Sequence, residues 1–182
     1  MPCKTSYTIL PTISVHPASI LKYWTALADV YPFLNDRFCD LHHPTIQDAM
    51  YYTYQHQYQQ FFIFPPSAST PIPVAEFTLT NHYARSAHMH FSFNPYYTKP
   101  FSRMKEIADQ AHELVFSTHI KTLIGITPKP NRHACQSVIK FGYKHLATIP
   151  NIAYYEGEPC DGFLTQRTAD TRPDTDTDAK RL

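Results

Sequence analysis

The 182-residue chain carries 16 Lys and Arg against 15 Asp and Glu, a formal net charge of +1, so no global basic field draws it to nucleic acid or to an anionic membrane. Its length suits one domain with a sizeable core and leaves little room for two. No apolar run approaches the roughly 18 residues of a membrane helix, the start MPCKTSYTILPTISVHP lacks a secretory pattern, and Cys3, Cys39, Cys135 and Cys160 are scattered; a reduced, cytoplasmic protein is the expectation.

In chain order, SYTILPTI alternates loosely and predicts a first strand from Tyr7 to Ile13. Pro17 then opens a helical spacing of Ile20, Tyr23, Trp24, Leu27 and Val30, and a short second helix is expected from Thr45 to Tyr54. QYQQFFIFPP reads as a strand stopped by Pro65 and Pro66, and SASTPIP as a linker or turn. VAEFTLTN and RSAHMHFSF form an antiparallel hairpin whose second strand puts Ala87, Met89, Phe91 and Phe93 on one face, with His88, His90 and Ser92 on the other.

The period changes after Pro100, where Phe101, Met104, Ile107, Ala108, Ala111, Leu114 and Val115 make one helical stripe. Leu123–Thr127 is a buried strand, and NRHACQSVIKFG is a helix with Asn131 as N-cap, an apolar face of Ala134, Val138 and Phe141, and Gly142 as its stop. YKHLATIP and DGFLTQRT are closing strands joined through an EGEPCDG turn. The last segment, 168–182, is poor in large apolar residues and is expected to be a disordered tail behind a domain of residues 1–167. All four glycines lie at or beyond Gly125, so earlier turns fall to Pro, Asn and Ser. The order of elements is α+β.

From TLIGITPKPNRHACQSVIKFGYKHLATIP onward, the succession Asn131, Ala134, Gly142, Tyr143, then Asp161 and FLTQR, resembles the second half of the GNAT N-acetyltransferase fold, in the style of short GNAT-like proteins carried by phages. The resemblance implies a mixed, mostly antiparallel central sheet flanked by helices. It also implies acetyl-CoA as co-substrate and an amine acceptor, either a small molecule or a protein. In that family the thioester arm lies where the fourth and fifth strands part, here against the main chain of Phe91 and Phe93, with Asn131 across the gap. The pyrophosphate sits at the following helix start, where free amides and the positive dipole end favour an anion. The family's Arg/Gln-x-x-Gly-x-Gly/Ala loop falls here on Thr98, Phe101 and Arg103, none of which matches. Helix amides do not depend on side-chain identity, and Lys99, Arg103 and Lys105 add positive charge to that turn.

For the base that takes the acceptor's proton, the candidates are Glu76 and His88 or His90, His90 first among the histidines, on strands flanking the acceptor cleft. The Tyr that serves many relatives as acid, seven residues after the Asn, is Val138 here; Tyr143, Tyr154 and Tyr155 lie nearby in sequence. His88 with His90, and Cys39 with His42 and His43, lack a further ligand at metal-binding spacing, so no metal is expected. YYTYQHQYQQFF has no interleaved Lys or Arg, which argues for packing and against nucleic acid. The two functions compatible with these residues are an acyl-CoA-dependent N-acyltransferase and a non-catalytic GNAT-like component of a phage or virion.

Overall fold

The computed structural model describes residues 7–30, 37–66, 72–97 and 99–169. Its elements run β1 (Thr8–Pro11), α1 (Pro17–Ala28), α2 (Ile46–Gln55), β2 (Gln60–Phe64), β3 (Ala75–Tyr83), β4 (Ser86–Phe93), α3 (Phe101–Phe116), β5 (Thr122–Pro128), α4 (Arg132–Lys140), β6 (Lys144–Tyr155) and β7 (Glu158–Thr168). The seven strands form one sheet in the order β1-β2-β3-β4-β5-β7-β6. Every neighbouring pair is antiparallel except β4 and β5, which are joined by the crossover helix α3. No helix among the described residues is long and apolar enough to cross a membrane.

Alternation along β3 and β4 divides the molecule into two cores. Ala75, Phe77, Ala87, Met89 and Phe93 pack with Ile107, Ala108, Ala111 and Val115 of α3 and with Phe141 and Tyr143. On the opposite face, Ile20, Tyr23, Trp24 and Leu27 of α1 pack with Phe38, Ala49 of α2 and Phe62 of β2. Helix α1 starts as Pro17 and His16 dictate: the His16 Nδ1 accepts the Ala18 amide at 3.2 Å. It stops at Ala28, so Val30 lies beyond it. Helix α2 opens with a capping box, in which Asp48 N donates to Thr45 Oγ1 and Thr45 N to Asp48 Oδ2. These reciprocal bonds start it one residue after the expected position.

Other boundaries differ for local reasons. The first strand ends at Pro11 and passes into a single 3₁₀ turn, Thr12–Ser14, where the buried Thr12 hydroxyl donates to the Gln60 carbonyl. In α3 the expected stripe holds at Ile107, Ala108, Ala111 and Val115, but Leu114 is 41% exposed while His112 is 2% exposed. In α4 the side chain that turns fully inward is Cys135, with Ala134 half-buried. The expected EGEPCDG turn contracts to Glu156 and Gly157, with φ +54° and +80°, and the rest joins the strands. Two consecutive positive φ angles are the geometry of a two-residue hairpin turn. The His43 ring lies where a Gly157 side chain would go, so any other residue there would have to displace that ring as well as adopt a positive φ. Most of the expected linker (67–71) and of the expected tail (170–182) lies outside the described residues, as does Thr98.

Candidate active site

Strands β4 and β5 are paired only at Ser86–Thr122, Ala87–Leu123 and His88–Ile124. Beyond these, β4 continues to Phe93 on the β3 side, while β5 continues to Pro128 on the β7 side. The two strands therefore part after His88, five residues earlier than Phe93. Asn94 N donates to Val74 O at 2.9 Å, so alternate residues Met89, Phe91 and Phe93 direct their main-chain N–H and C=O away from β3 and into the gap. At its apex the Met89 carbonyl comes within 3.9 Å of the position a Gly125 side chain would take. The parted strands thus present a row of strand-type donors and acceptors to anything extended that enters between them.

Helix α3 begins beside the end of β4. Its N-cap, Pro100, makes no side-chain cap, and the first turn carries no acid. Arg103 N bonds back to Pro100 O at 3.0 Å, which leaves the Phe101 and Ser102 amides at the helix tip. The Phe101 ring is drawn down onto Phe141, stacked at 5.5 Å and 7°, and Phe141 meets Phe93 at 5.8 Å. Lys140 Nζ lies 5.3 Å over the Phe101 ring. Lys99 and Arg103 are both exposed. Arg103 shares a helix face with Gln110, whose Oε1 accepts the Tyr7 amide beside β1, so it projects away from α4. Lys140, which no sequence signal singled out, is the cation on the α4 side. Asn131 is buried and caps α4, its Oδ1 accepting the Ala134 amide at 3.0 Å.

The two candidate bases lie on the face covered by α1 and α2, in different surroundings. Glu76 is 0% exposed. Its carboxylate forms an ion pair with Arg37 Nε and accepts from Ser92 Oγ at 2.9 Å, Gln60 Nε2 at 3.1 Å and Thr78 Oγ1 at 3.2 Å. Arg37 in turn donates to Thr78 Oγ1 at 2.9 Å and lies 4.9 Å from the rings of both Phe38 and Tyr52. Burial works against the Arg37 charge, yet the Glu76 carboxylate holds it above its ordinary basicity. With every oxygen engaged, Glu76 is an anchor for its surroundings. His90, directly across from Thr78 on β3, is half-buried. Burial, then the nearby charges of Arg37, His88 and His56, hold its pKa down to about 3. Its imidazole is neutral at physiological pH.

On the opposite face a second polar cluster runs toward the gap. Arg167 Nη1 donates to His112 Nδ1 at 2.7 Å and to the Phe141 carbonyl at 2.5 Å. With Nδ1 accepting, the neutral ring carries its proton on Nε2, which meets the Tyr143 hydroxyl at 3.0 Å. That hydroxyl reaches Met89 Sδ at 3.6 Å. Burial, followed by the Arg167 charge, keeps the His112 pKa well below its usual value. Burial likewise raises that of Tyr143. The sequence reading did not single out His112: its spacing four residues after Ala108 fits the inward face, but Leu114 competed for the same stripe. Among the described residues, no three His, Cys, Asp or Glu side chains gather as a metal would require.

No protein-family model and no curated protein matches the chain by sequence. Its structure is nonetheless similar to solved acetyltransferases over almost its whole length. An acetyltransferase of the GNAT family from Bacillus anthracis is 15% identical, with a TM-score of 0.66 over 91% of this chain and 96% of that one. Spermidine N-acetyltransferase from Vibrio cholerae, solved with CoA and spermine, is 12% identical, with a TM-score of 0.67 over 91% and 96%. An N-acetyltransferase from Staphylococcus aureus Mu50 is 11% identical, with a TM-score of 0.59 over 90% and 99%. The chain has the GNAT fold: a mixed, largely antiparallel sheet flanked by helices.

Proposed function

We propose that the protein is an acyl-CoA-dependent N-acyltransferase that moves an acetyl group from acetyl-CoA to an amine. The observation that carries this reading is the parting of β4 from β5 after only three paired positions, with the main chain of Met89, Phe91 and Phe93 facing the opening. An extended arm bearing amides fits there as a strand would. At the outer end the family's glycines are replaced by Phe101 and Arg103. A pyrophosphate would be met by the Phe101 and Ser102 amides, with Lys99 and Lys140 supplying charge and Arg103 contributing from further off. Asn131, its oxygen engaged in the cap, would turn its Nδ2 amino group to the arm.

Acetyl-CoA, when bound, supplies the activated thioester. In this reading the amine nitrogen bonds to the acetyl carbon as the thioester C–S bond breaks, His90 accepts the proton the amine releases, and the departing thiolate takes its proton from solvent. A ring with a pKa of about 3 does not deprotonate an ammonium ion, so the acceptor must arrive as the free amine. Its proton becomes acidic only as the new bond forms. Glu76 acts by positioning, because it holds Arg37 and Ser92 on either side of the His90 strand pair. The fold of the solved acetyltransferases supports the class of reaction, and the CoA held by the Vibrio protein supports the donor.

The second reading, a GNAT-like protein without transferase activity, has its own observation: among the described residues, none able to donate a proton stands where the family's Tyr would. Val138 occupies that place and packs against the core, and the Tyr143 hydroxyl is engaged by His112 and Met89. Thermal unfolding with and without acetyl-CoA separates the two. At a hundredfold excess over its dissociation constant a ligand adds about 2.7 kcal/mol of stability. A clear upward shift, followed by release of free thiol when amines are supplied, supports the enzyme. An unchanged midpoint at millimolar acetyl-CoA favours the non-catalytic reading.

A further inference from the structure

The tip of the hairpin formed by β6 and β7 does not continue the plane of the sheet. The register of β6 shifts between Ile149 and Ala153, with Asn151 at φ +51°, and an irregularity of this kind bends a strand. The bend carries Ile152 back over Gly162, since the Ile152 and Ile126 side chains fill the space a Gly162 side chain would take. Ile126 alternates with Leu123, which packs in the α3 core, so Ile126 lies on the face covered by α1 and α2. The hairpin tip therefore leans over that face.

There it is held by the segment 37–43. Tyr154 N, on the outermost strand, donates to Cys39 O at 2.7 Å. The His42 ring meets that of Tyr154 at 5.3 Å, and the His43 ring lies where a Gly157 side chain would go. Two residues before Cys39, Arg37 is anchored on β3 by Glu76 and by Thr78, the cross-strand partner of His90. Strands β3 and β6 are four places apart in the sheet, about 19 Å at the usual spacing. Two residues of extended chain cover about 7 Å, so the connection closes because the Arg37 side chain reaches toward β3 and the bent tip comes in from β6. A segment fixed to β3 at one end and to β6 at the other passes over β4, β5 and β7, and so over the gap. Beneath it His90, Ile124, Ile126 and Leu164 are half-buried, which makes this side roofed and not sealed.

We infer that segment 37–43 and the leaning hairpin tip form a roof across the acceptor side of the gap, and that the acceptor is a small free amine and not a lysine side chain of a folded protein. This rests on the acyltransferase reading above and narrows it to a substrate class. A lysine side chain brings the surface of its protein with it, and that surface stops against the roof before the nitrogen comes level with His90. A small amine passes where His90 and Ile126 keep part of their surface in solvent. His43 against Gly157 is the latch that keeps the roof in place.

Access is measured first, without any donor. Ile126→Cys, beneath the roof, and Tyr83→Cys, at a position 81% exposed in the turn between β3 and β4, are made in the full chain. Each is treated with N-ethylmaleimide and with a maleimide borne on polyethylene glycol, and the label is located by peptide mass. Tyr83→Cys should react with both reagents and Ile126→Cys with N-ethylmaleimide alone. In the otherwise unaltered chain the Tyr154 amide, held by Cys39, should be protected from hydrogen exchange; His43→Ala should lose that protection and admit the bulky reagent to Ile126→Cys. Bulky labelling at Ile126→Cys with His43 in place, no labelling there by N-ethylmaleimide, or an unprotected Tyr154 amide overturns the roof. Acceptors are compared next, with acetyl-CoA as donor. Butylamine and benzylamine should be acetylated and the lysines of folded cytochrome c should not; acetylation of those lysines, or of neither small amine, overturns the inference. Acetyl-CoA is titrated separately. If it binds and the cytochrome lysines are acetylated, the transferase reading stands and this one falls; if it does not bind, the transferase reading falls, and the labelling pattern still decides the roof.

Discussion

Two arginines, Arg37 buried on one face of the sheet and Arg167 half-buried on the other, show what a fold does with a charge drawn out of water. Arg37 faces a carboxylate, and the pair is enclosed by donors from β2, β3 and β4 and by two aromatic rings. Arg167 has a looser one: the half-buried Asp109 carboxylate is 3.8 Å away, its Nε finds no bond among the described residues, and its hydrogen-bond partners are a histidine and a backbone carbonyl. Burial accordingly lowers the basicity of Arg167, whereas that of Arg37 is held up by Glu76. A charge whose counter-ion is supplied locks distant segments together. A charge solvated mainly by neutral groups is tolerated only while those groups stay neutral.

The comparison is broken most directly at Glu76. Glu76→Ala leaves Arg37 charged and unpaired in the core and should cost about 3–5 kcal/mol, read from the urea midpoint. Replacing both partners by apolar residues, Arg37→Met with Glu76→Leu, should recover most of that loss. A single-variant cost under about 1 kcal/mol would mean that the pair behaves like a surface one.

The second cluster is tested by acid. His112 and His90 are held neutral in the folded chain, with pKa values below those of the unfolded chain. Below about pH 6.5 the unfolded state binds the extra protons, so stability is complete above that value and falls as pH drops toward about 3. Each histidine contributes a slope of up to about 1.4 kcal/mol per pH unit. Chemical denaturation at a series of pH values should show this decline, and His112→Phe should make it shallower whatever its effect on stability at neutral pH. A smaller loss, about 1–3 kcal/mol, is expected for Tyr143→Phe, which strips the buried His112 Nε2–H of its acceptor. The smallest effect lies at the start of α3. Lys140, on the side shared with α4 and Arg167, should matter more for acetyl-CoA than Arg103 on the β1 side. Lys140→Ala is expected to weaken binding about threefold, within the range of one charge at a helix end, and Arg103→Ala by less. Equal losses would show that the phosphates lie astride the helix.

Legibility in the sequence followed the range of the forces involved. The hairpin of β3 and β4, the start of α2, the N-cap of α4 and the stop at Gly142 are set by residues within a few positions of one another, and the sequence reading placed each of them to within a residue or two. The order of Asn131, Ala134, Gly142 and Tyr143 was enough to indicate the GNAT fold that the solved structures share. His90 and Glu76 could be assigned to one face of neighbouring strands by alternation alone. Their different environments could not be assigned, because Arg37 reaches Glu76 across 39 residues and Gln60 and Ser92 each reach it across 16.

Local periodicity and capping chemistry thus determined which segments are helix or strand and which side of each turns inward, since those preferences act along the backbone itself. Tertiary packing alone decided where β4 leaves β5, that His112 displaces Leu114 from the core, that Lys140 covers Phe101 and that Glu76 is sealed beneath α1 and α2. Those outcomes depend on desolvation and on partners brought together by closing long loops, whose free energy no short stretch of chain contains.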